Sequence, residues 1–267
     1  MFFRSFVFSL LFISCSVVEE YKRPSFIVFH VENDSIFVKV KNKVLSSSFL
    51  EITNLKDGES SILNFKKPDT VTILRFHKSE IDTVSINKNY RFTLKYGLSY
   101  FKKHDSLYNY GLPFLKGKRY KVLQGQNSNF THKGDFSRYA IDFKMNIGQP
   151  ICAMREGLVV NIKEDSNKGG KDKSYGNDAN YIVIFHKDGT FAQYIHLKKN
   201  GVVVSIGETV KKGQVIGYSG NTGFSTQPHL HFAVYKSFSK KGLVSIPYIL
   251  DAISAEEYKK GTYVYHN

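Results

Sequence analysis

Two histidines one residue apart, His229 and His231, open the apolar run "HLHFAVYK" directly behind Pro228. In a β-strand, residues two apart project from the same face, so both imidazoles share one surface while Leu230 and Phe232 point to the other. Two imidazoles on one face suit a shared metal, or a metal beside a reacting group. A bare His-x-His is weak by itself, because ordinary strand histidines produce it as well.

Other residues converge on the same chemistry. "TFAQYIHL" ends a strand-like run at His196, on the face with Tyr194 and opposite Ile195. "RYAIDF" sets Asp142 between Ile141 and Phe143, on the face opposite two large apolar side chains. An inward-facing carboxylate is costly unless it is paired or metal-bound. "FTHKGDF" supplies His132 from a glycine-containing loop, ten residues before Asp142. A catalytic zinc takes three nitrogen, oxygen or sulfur ligands and keeps one position for water, whose pKa falls to about 7. Two histidines and one carboxylate from different strands meet that need. Further histidines nearby would orient the water, move protons and stabilise an oxyanion.

The segments that must position these residues are predominantly strands. From about residue 25 to 97, "SFIVFHV", "SIFVKVKN", "LEITNL", "DTVTILRF" and "YRFTLKYG" are short, rich in Val, Ile, Phe and Thr, and separated by polar turn residues. That spacing predicts a small β-sandwich-like domain without chemistry of its own, since His30, His77 and His104 stand alone. Residues 98–129 read as a connecting segment. Residues 130–250 then carry "RYAIDFKM", "GLVVNIKE", "NYIVIFHK", "TFAQYIHL", "GVVVSI", "GQVIGYSG" and "HLHFAVYK", all strand-like. The stretch from Glu164 to Asn180 has almost no large apolar residue and is expected to be a mobile surface loop. No helix of convincing length precedes "ILDAISAEEYKK". The expected fold class is mainly β.

The motif order His132, Asp142, His196, His229-Leu230-His231 resembles the lysostaphin-type, or LytM-like, zinc metallopeptidases that cut peptide bonds in bacterial peptidoglycan. "YAIDFKMNIGQPICAMREGLVV", "NYIVIFHKDGTFAQYIHL", "GETVKKGQVIGYSGNTG" and "PHLHF" follow that family's pattern over roughly residues 130–236. The resemblance implies a C-terminal antiparallel, barrel-sandwich-like peptidase domain holding one zinc. By position it makes His132, Asp142 and His231 the metal ligands and His196 and His229 the catalytic pair. Asn180 matches a family asparagine near the cleft, where it either contacts substrate or caps the loop. Asp135 is the rival carboxylate, but it lacks the "AIDF" strand context. His186 reads as a packing or surface residue.

Composition bounds the partners. With 267 residues and 42% hydrophobic content the chain can bury a sizeable core, and its formal net charge of +15 favours a polyanionic partner. No Lys/Arg-rich run or RNA-binding aromatic signature is present, which sets nucleic acid aside in favour of the peptidoglycan partner that the resemblance implies. Residues 1–15, "MFFRSFVFSLLFISC", read as a signal segment ending like a lipoprotein signal. Cys15 is then the lipidated residue, and the protein is exported to the cell envelope, anchored to the membrane through that lipid. The only other cysteine, Cys152, reads as a small buried hydrophobe. Two further readings remain at this level. One is a catalytically inactive wall-binding regulator of another hydrolase, which would typically lack one of the five site residues. The other is a carrier module resembling biotinyl domains, which would need an acceptor lysine at an exposed hairpin turn.

Overall fold

The computed structural model describes residues 26–97, 104–238 and 242–267. The signal segment with Cys15, and the start of the 98–129 connection, lie outside the described residues. Among the described residues, no helix is long and apolar enough to cross a membrane.

Period-two alternation builds the N-terminal part. In Ser35–Asn42, Ile36, Val38 and Val40 are buried while their neighbours face outward. This strand lies between Ile27–Glu32 and Asp69–His77, and a second three-stranded sheet orders Ser60–Phe65, Ser48–Asn54 and Tyr90–Tyr96. Val40 from the first sheet packs with Leu50, Ile52 and Phe65 from the second, so the two sheets share a core as a sandwich does. Two elements are additional to the sequence reading. The Ser60–Phe65 strand is mostly exposed and shows little apolar pattern. The helix Thr83–Asn89 is too short to display a helical period; it is set by Asp82, whose side chain accepts from the Ser85 N–H, and by the fully buried Ile86.

The site rests on a larger sheet. Its strands run in the order Thr209–Val210, Gly157–Lys163, Tyr181–Phe185, Phe191–Ile195, His229–Phe238, Ile141–Lys144, Arg119–Gln124 and Tyr263–Tyr265, with Gly242–Ser245 also pairing along His229–Phe238. The sheet therefore draws on strands beyond residues 130–250 at both ends. On one face Leu230, Phe232 and Val234 join Phe143, Tyr194 and Ile182 in the main core. A small sheet of Pro150–Cys152, Val215–Ser219 and Leu197–Val202 closes that core through Ile151, Ile216 and Leu197. Cys152 is buried in this layer, and burial pushes its thiol up to about 11, the inert behaviour expected of it.

Three expectations change. The Glu164–Asn180 stretch is pinned rather than loose: Gly169–Gly170 pairs in parallel with Gly223–Phe224, and Asp172 caps a 3-10 turn at Lys173–Asp178. Ser166, Asp172 and Asn180 bond backbone groups of the segment, which composition does not reveal. "ILDAISAEEYKK" forms two short paired strands, Ile249–Leu250 and Ile253–Ser254, around left-handed Asp251 and Ala252, then a 3-10 turn at Ala255–Glu257. The strand expected at "GVVVSI" lies earlier, at Leu197–Val202, and leaves Val203 exposed.

His186 is a packing residue of this fold. It is fully buried, donates through Nδ1 to the Glu156 carbonyl at 2.7 Å and stands edge-on to Tyr110. Burial pulls its pKa down to about 4. Between pH 6.5 and 4 the unfolded chain therefore takes up a proton that the folded chain refuses, so stability falls as pH falls. Urea unfolding across that range is expected to lose about 3 kcal/mol to this residue, and His186→Gln is expected to flatten that part of the slope.

Candidate metal centre

Register places the central residues. His231 pairs with Asp142 on one side and with Ile195 on the other, and Asp142 pairs onward with Gln124, so these residues share one sheet face. On that face the Asp142 Oδ1 atom lies 2.8 Å from His231 Nδ1, 3.4 Å from His132 Nε2 and 3.8 Å from His229 Nε2. His132, Asp142 and His231 are the group whose donor atoms converge closely enough for one metal ion.

The ten-residue gap before Asp142 is bridged by a compact turn. Ser137 Oγ donates to the Thr131 carbonyl, and the Ser137 and Arg138 N–H groups both donate to the Gly134 carbonyl. The loop thus returns His132 to the sheet with its ring fully buried. Its Nδ1 donates to the Gly125 carbonyl at 2.9 Å, which directs Nε2 toward the carboxylate. Asp135 is exposed, and its backbone carbonyl is tied to Ser245, which leaves Asp142 as the carboxylate of the cluster.

His196 corrects the sequence reading. A regular strand through Ile195 would send it to the Tyr194 side, away from His231. Instead its φ is +69°, a left-handed backbone that turns the ring back, 4.5 Å from the His229 ring and 6.0 Å from that of His231. A small clamp holds this conformation. His196 Nδ1 donates to the Thr222 carbonyl at 2.7 Å, while Thr222 Oγ1 donates to the Leu197 carbonyl at 2.7 Å. Asn180 completes the clamp: its N–H donates to Thr222 Oγ1, and its amide bonds Ser166 N–H, Ser166 C=O and Leu197 C=O. Asn180 is fully buried, with its amide engaged inside the protein. Thr222, absent from the sequence reading, has no pattern that marks it: its role depends on where the backbone of residues 196–197 passes.

Charge is distributed unevenly over Asp142, His132, His231 and His196. Burial disfavours the Asp142 carboxylate, but the surrounding imidazoles overcome it and hold its pKa well below the usual range. For His132 burial opposes charge and the Asp142 carboxylate prevails, leaving its pKa raised. Burial lowers His231, and burial with the two neighbouring histidines keeps His196 far below its ordinary value, hence neutral at pH 7. With Nδ1–H donated to Thr222, neutral His196 presents Nε2 as a lone pair. His229 is fixed the same way, its Nδ1 donating to the Gln227 carbonyl at 2.8 Å.

Comparison with known proteins agrees with the resemblance read from the motifs. Residues 137–243 match the family described as peptidase family M23, a span that includes Asp142, His196, His229 and His231 but not His132. An uncharacterized metalloprotease of Buchnera aphidicola is 39% identical over 126 residues, covering 46% of this chain and 30% of that protein. Lysostaphin of Staphylococcus staphylolyticus is 43% identical over 103 residues, 38% of this chain and 19% of its own length. Peptidoglycan DD-endopeptidase ShyA of Vibrio cholerae is 40% identical over 91 residues, 34% of this chain and 18% of its own. The chain thus spans less than a third of each of these relatives.

Gly125 offers a test of how His132 is held. A Cβ at this position would run into the Tyr258 carbonyl oxygen, so either that backbone or the Gly125 carbonyl must move. Gly125→Ala is expected to cost about 1–3 kcal/mol in urea unfolding. It is also expected to weaken metal binding about 10- to 100-fold in a chelator competition titration, because the hydrogen bond that orients His132 shifts with it.

Proposed function

We propose that this protein is an exported zinc endopeptidase that hydrolyses peptide bonds in bacterial peptidoglycan. The observation that carries the reading is the meeting of His132, Asp142 and His231 around one buried carboxylate oxygen, with His196 and His229 beside it. The M23 match and the similarity to lysostaphin and a peptidoglycan DD-endopeptidase support the substrate class. The net charge of +15 suits an acidic wall polymer.

The residues fit a metal ion. His132 Nε2 is buried without a hydrogen-bond partner, and its Nδ1 already carries the proton donated to Gly125. Nε2 then faces a carboxylate oxygen at 3.4 Å, an arrangement that needs a positive charge between the two atoms, either a proton on Nε2 or a cation in its place. Two imidazole nitrogens and one carboxylate oxygen form a donor set of the zinc type with a position left open. When bound there, zinc supplies Lewis acidity that polarises a peptide carbonyl and acidifies water.

The protein's own residues do the rest. His196, neutral and oriented by Thr222, accepts the proton of the attacking water at Nε2. That proton is then released from His196 Nε2 to the leaving nitrogen, while His229, held by Gln227 and Ser225, faces the same space and orients the reacting groups through its own Nε2. The Gly125 carbonyl holds the ring plane of His132, and strand register sets His231 against Asp142. In the same proposal Cys15 carries a lipid anchor at the membrane, residues 25–97 form a spacing or covering domain, and residues 98–129 lead from it into the peptidase.

Digestion of purified muropeptides, with products identified by mass, tests this reading. Asp142→Ala, His231→Ala and chelation are each expected to abolish cleavage. His196→Ala is expected to lower kcat about 10²- to 10⁴-fold while metal content stays at the wild-type value. Cleavage that survives chelation, or survives both ligand substitutions, overturns the zinc mechanism.

A further inference from the structure

The sheet face that carries the metal centre continues past it to an open edge. His229 pairs with Lys144 in the next strand. One step along the register that pairs Val122 with Phe143 brings Lys144 opposite Lys121, and Lys121 pairs with Tyr263 on the edge strand. Beside this row, Arg119 pairs with Tyr265. Neighbouring residues of these strands, Val122, Phe143 and Val264, point into the core, so His229, Lys144, Lys121, Arg119 and both tyrosines share the outer face. All but His229 are exposed, Tyr263 and Tyr265 at 51% each.

The chemistry of this row is unbalanced. Like charges close together on neighbouring strands repel, yet Lys121 and Lys144 stand side by side at the end of the Val122–Phe143 pairing. Among the described residues, no acidic side chain forms an ion pair with Arg119, Lys121 or Lys144. Aromatic rings hold two of these cations instead. The Arg119 guanidinium lies 5.4 Å from the Tyr263 ring and 5.6 Å from that of Tyr265, and Lys121 Nζ lies 5.9 Å from Tyr263. A ring fixes a cation without neutralising it, so the positive charge stays available to a ligand.

We propose that this row is a binding subsite for a carboxylate-bearing peptide arm of the substrate, an assignment that rests on the peptidase reading above. Three strand spacings separate His229 from the Tyr263 edge, about 14 Å. An extended peptide covers that in about four residues, so an acidic group some four residues from the cleaved bond reaches the lysines. Continuity with His229 favours an arm of the molecule being cleaved over a separate polymer. Arg119, Lys121, Tyr263 and Tyr265 lie outside residues 137–243, so all of the subsite but Lys144 is additional to the region this chain shares with the M23 family.

The test compares the full chain with its Arg119→Gln/Lys121→Gln/Lys144→Gln variant on one synthetic stem peptide, prepared with free carboxylates and with carboxamides. Fluorescence anisotropy in chelator reads binding without hydrolysis, and steady-state kinetics without chelator read KM and kcat. The variant is expected to bind the acid form about tenfold more weakly and to raise its KM by a similar factor with kcat retained. The amide form is expected to bind both proteins equally. Equal binding of the acid form by both proteins, or an equal loss for both forms, overturns the subsite. Displacement of the acid peptide by polyphosphate at lower concentration than by unlabelled acid peptide also overturns it, in favour of a phosphate polymer. A wild-type chain that binds the acid form selectively but does not cleave it overturns the peptidase reading and leaves the subsite standing.

Discussion

One carboxylate organises the site. Asp142 Oδ1 lies within 3.8 Å of three imidazoles in a place almost closed to water. Removing a carboxylate from water costs several kcal/mol, so its partners must be held in place before any ligand arrives. Each is held by a different device: His231 by direct register with Asp142, His132 by the carbonyl of a glycine packed on Tyr258, and His229 by the turn before its strand. A one-residue slip between Ile141–Lys144 and His229–Phe238 would turn the histidines into the core and Leu230 and Phe232 out of it. The aromatic core beneath the sheet therefore fixes the register on which the chemistry depends.

His196 shows the complementary arrangement, in which a loop supplies what a strand cannot. Its left-handed backbone is a conformation of the kind that costs about 1–3 kcal/mol for a residue other than glycine. The hydrogen bonds of Asn180 and Thr222 around residues 196 and 197 offset that cost and set which ring nitrogen faces the site. The polar Glu164–Asn180 segment thus works as a buttress, which accounts for its ordered backbone pairing with Gly223–Phe224.

Much of this was legible in the residues alone, for a definable reason. His229, His231 and Asp142 lie on strands, where period two states which side chains share a face, and the same rule separates the N-terminal strands from their turns. Where the backbone leaves that period the sequence loses its force. His196 could be found by type but not assigned to the correct face, because nothing local marks a histidine with positive φ. His132 depends on a turn that folds back over ten residues, and Thr222 on the path of a distant strand end. The Arg119, Lys121 and Lys144 row was invisible because no single stretch contains it; only the pairing of three strands brings it together.

The chemistry of the site depends on what Asp142 helps to hold. Zinc-edge X-ray absorption of the full chain, after loading and removal of excess metal, reads the ligands directly. One zinc per chain is expected, with two imidazole nitrogens and one carboxylate oxygen from the protein, and that signal is expected to be lost in Asp142→Ala. A chain that retains no zinc, or an unchanged spectrum in Asp142→Ala, would contradict this assignment.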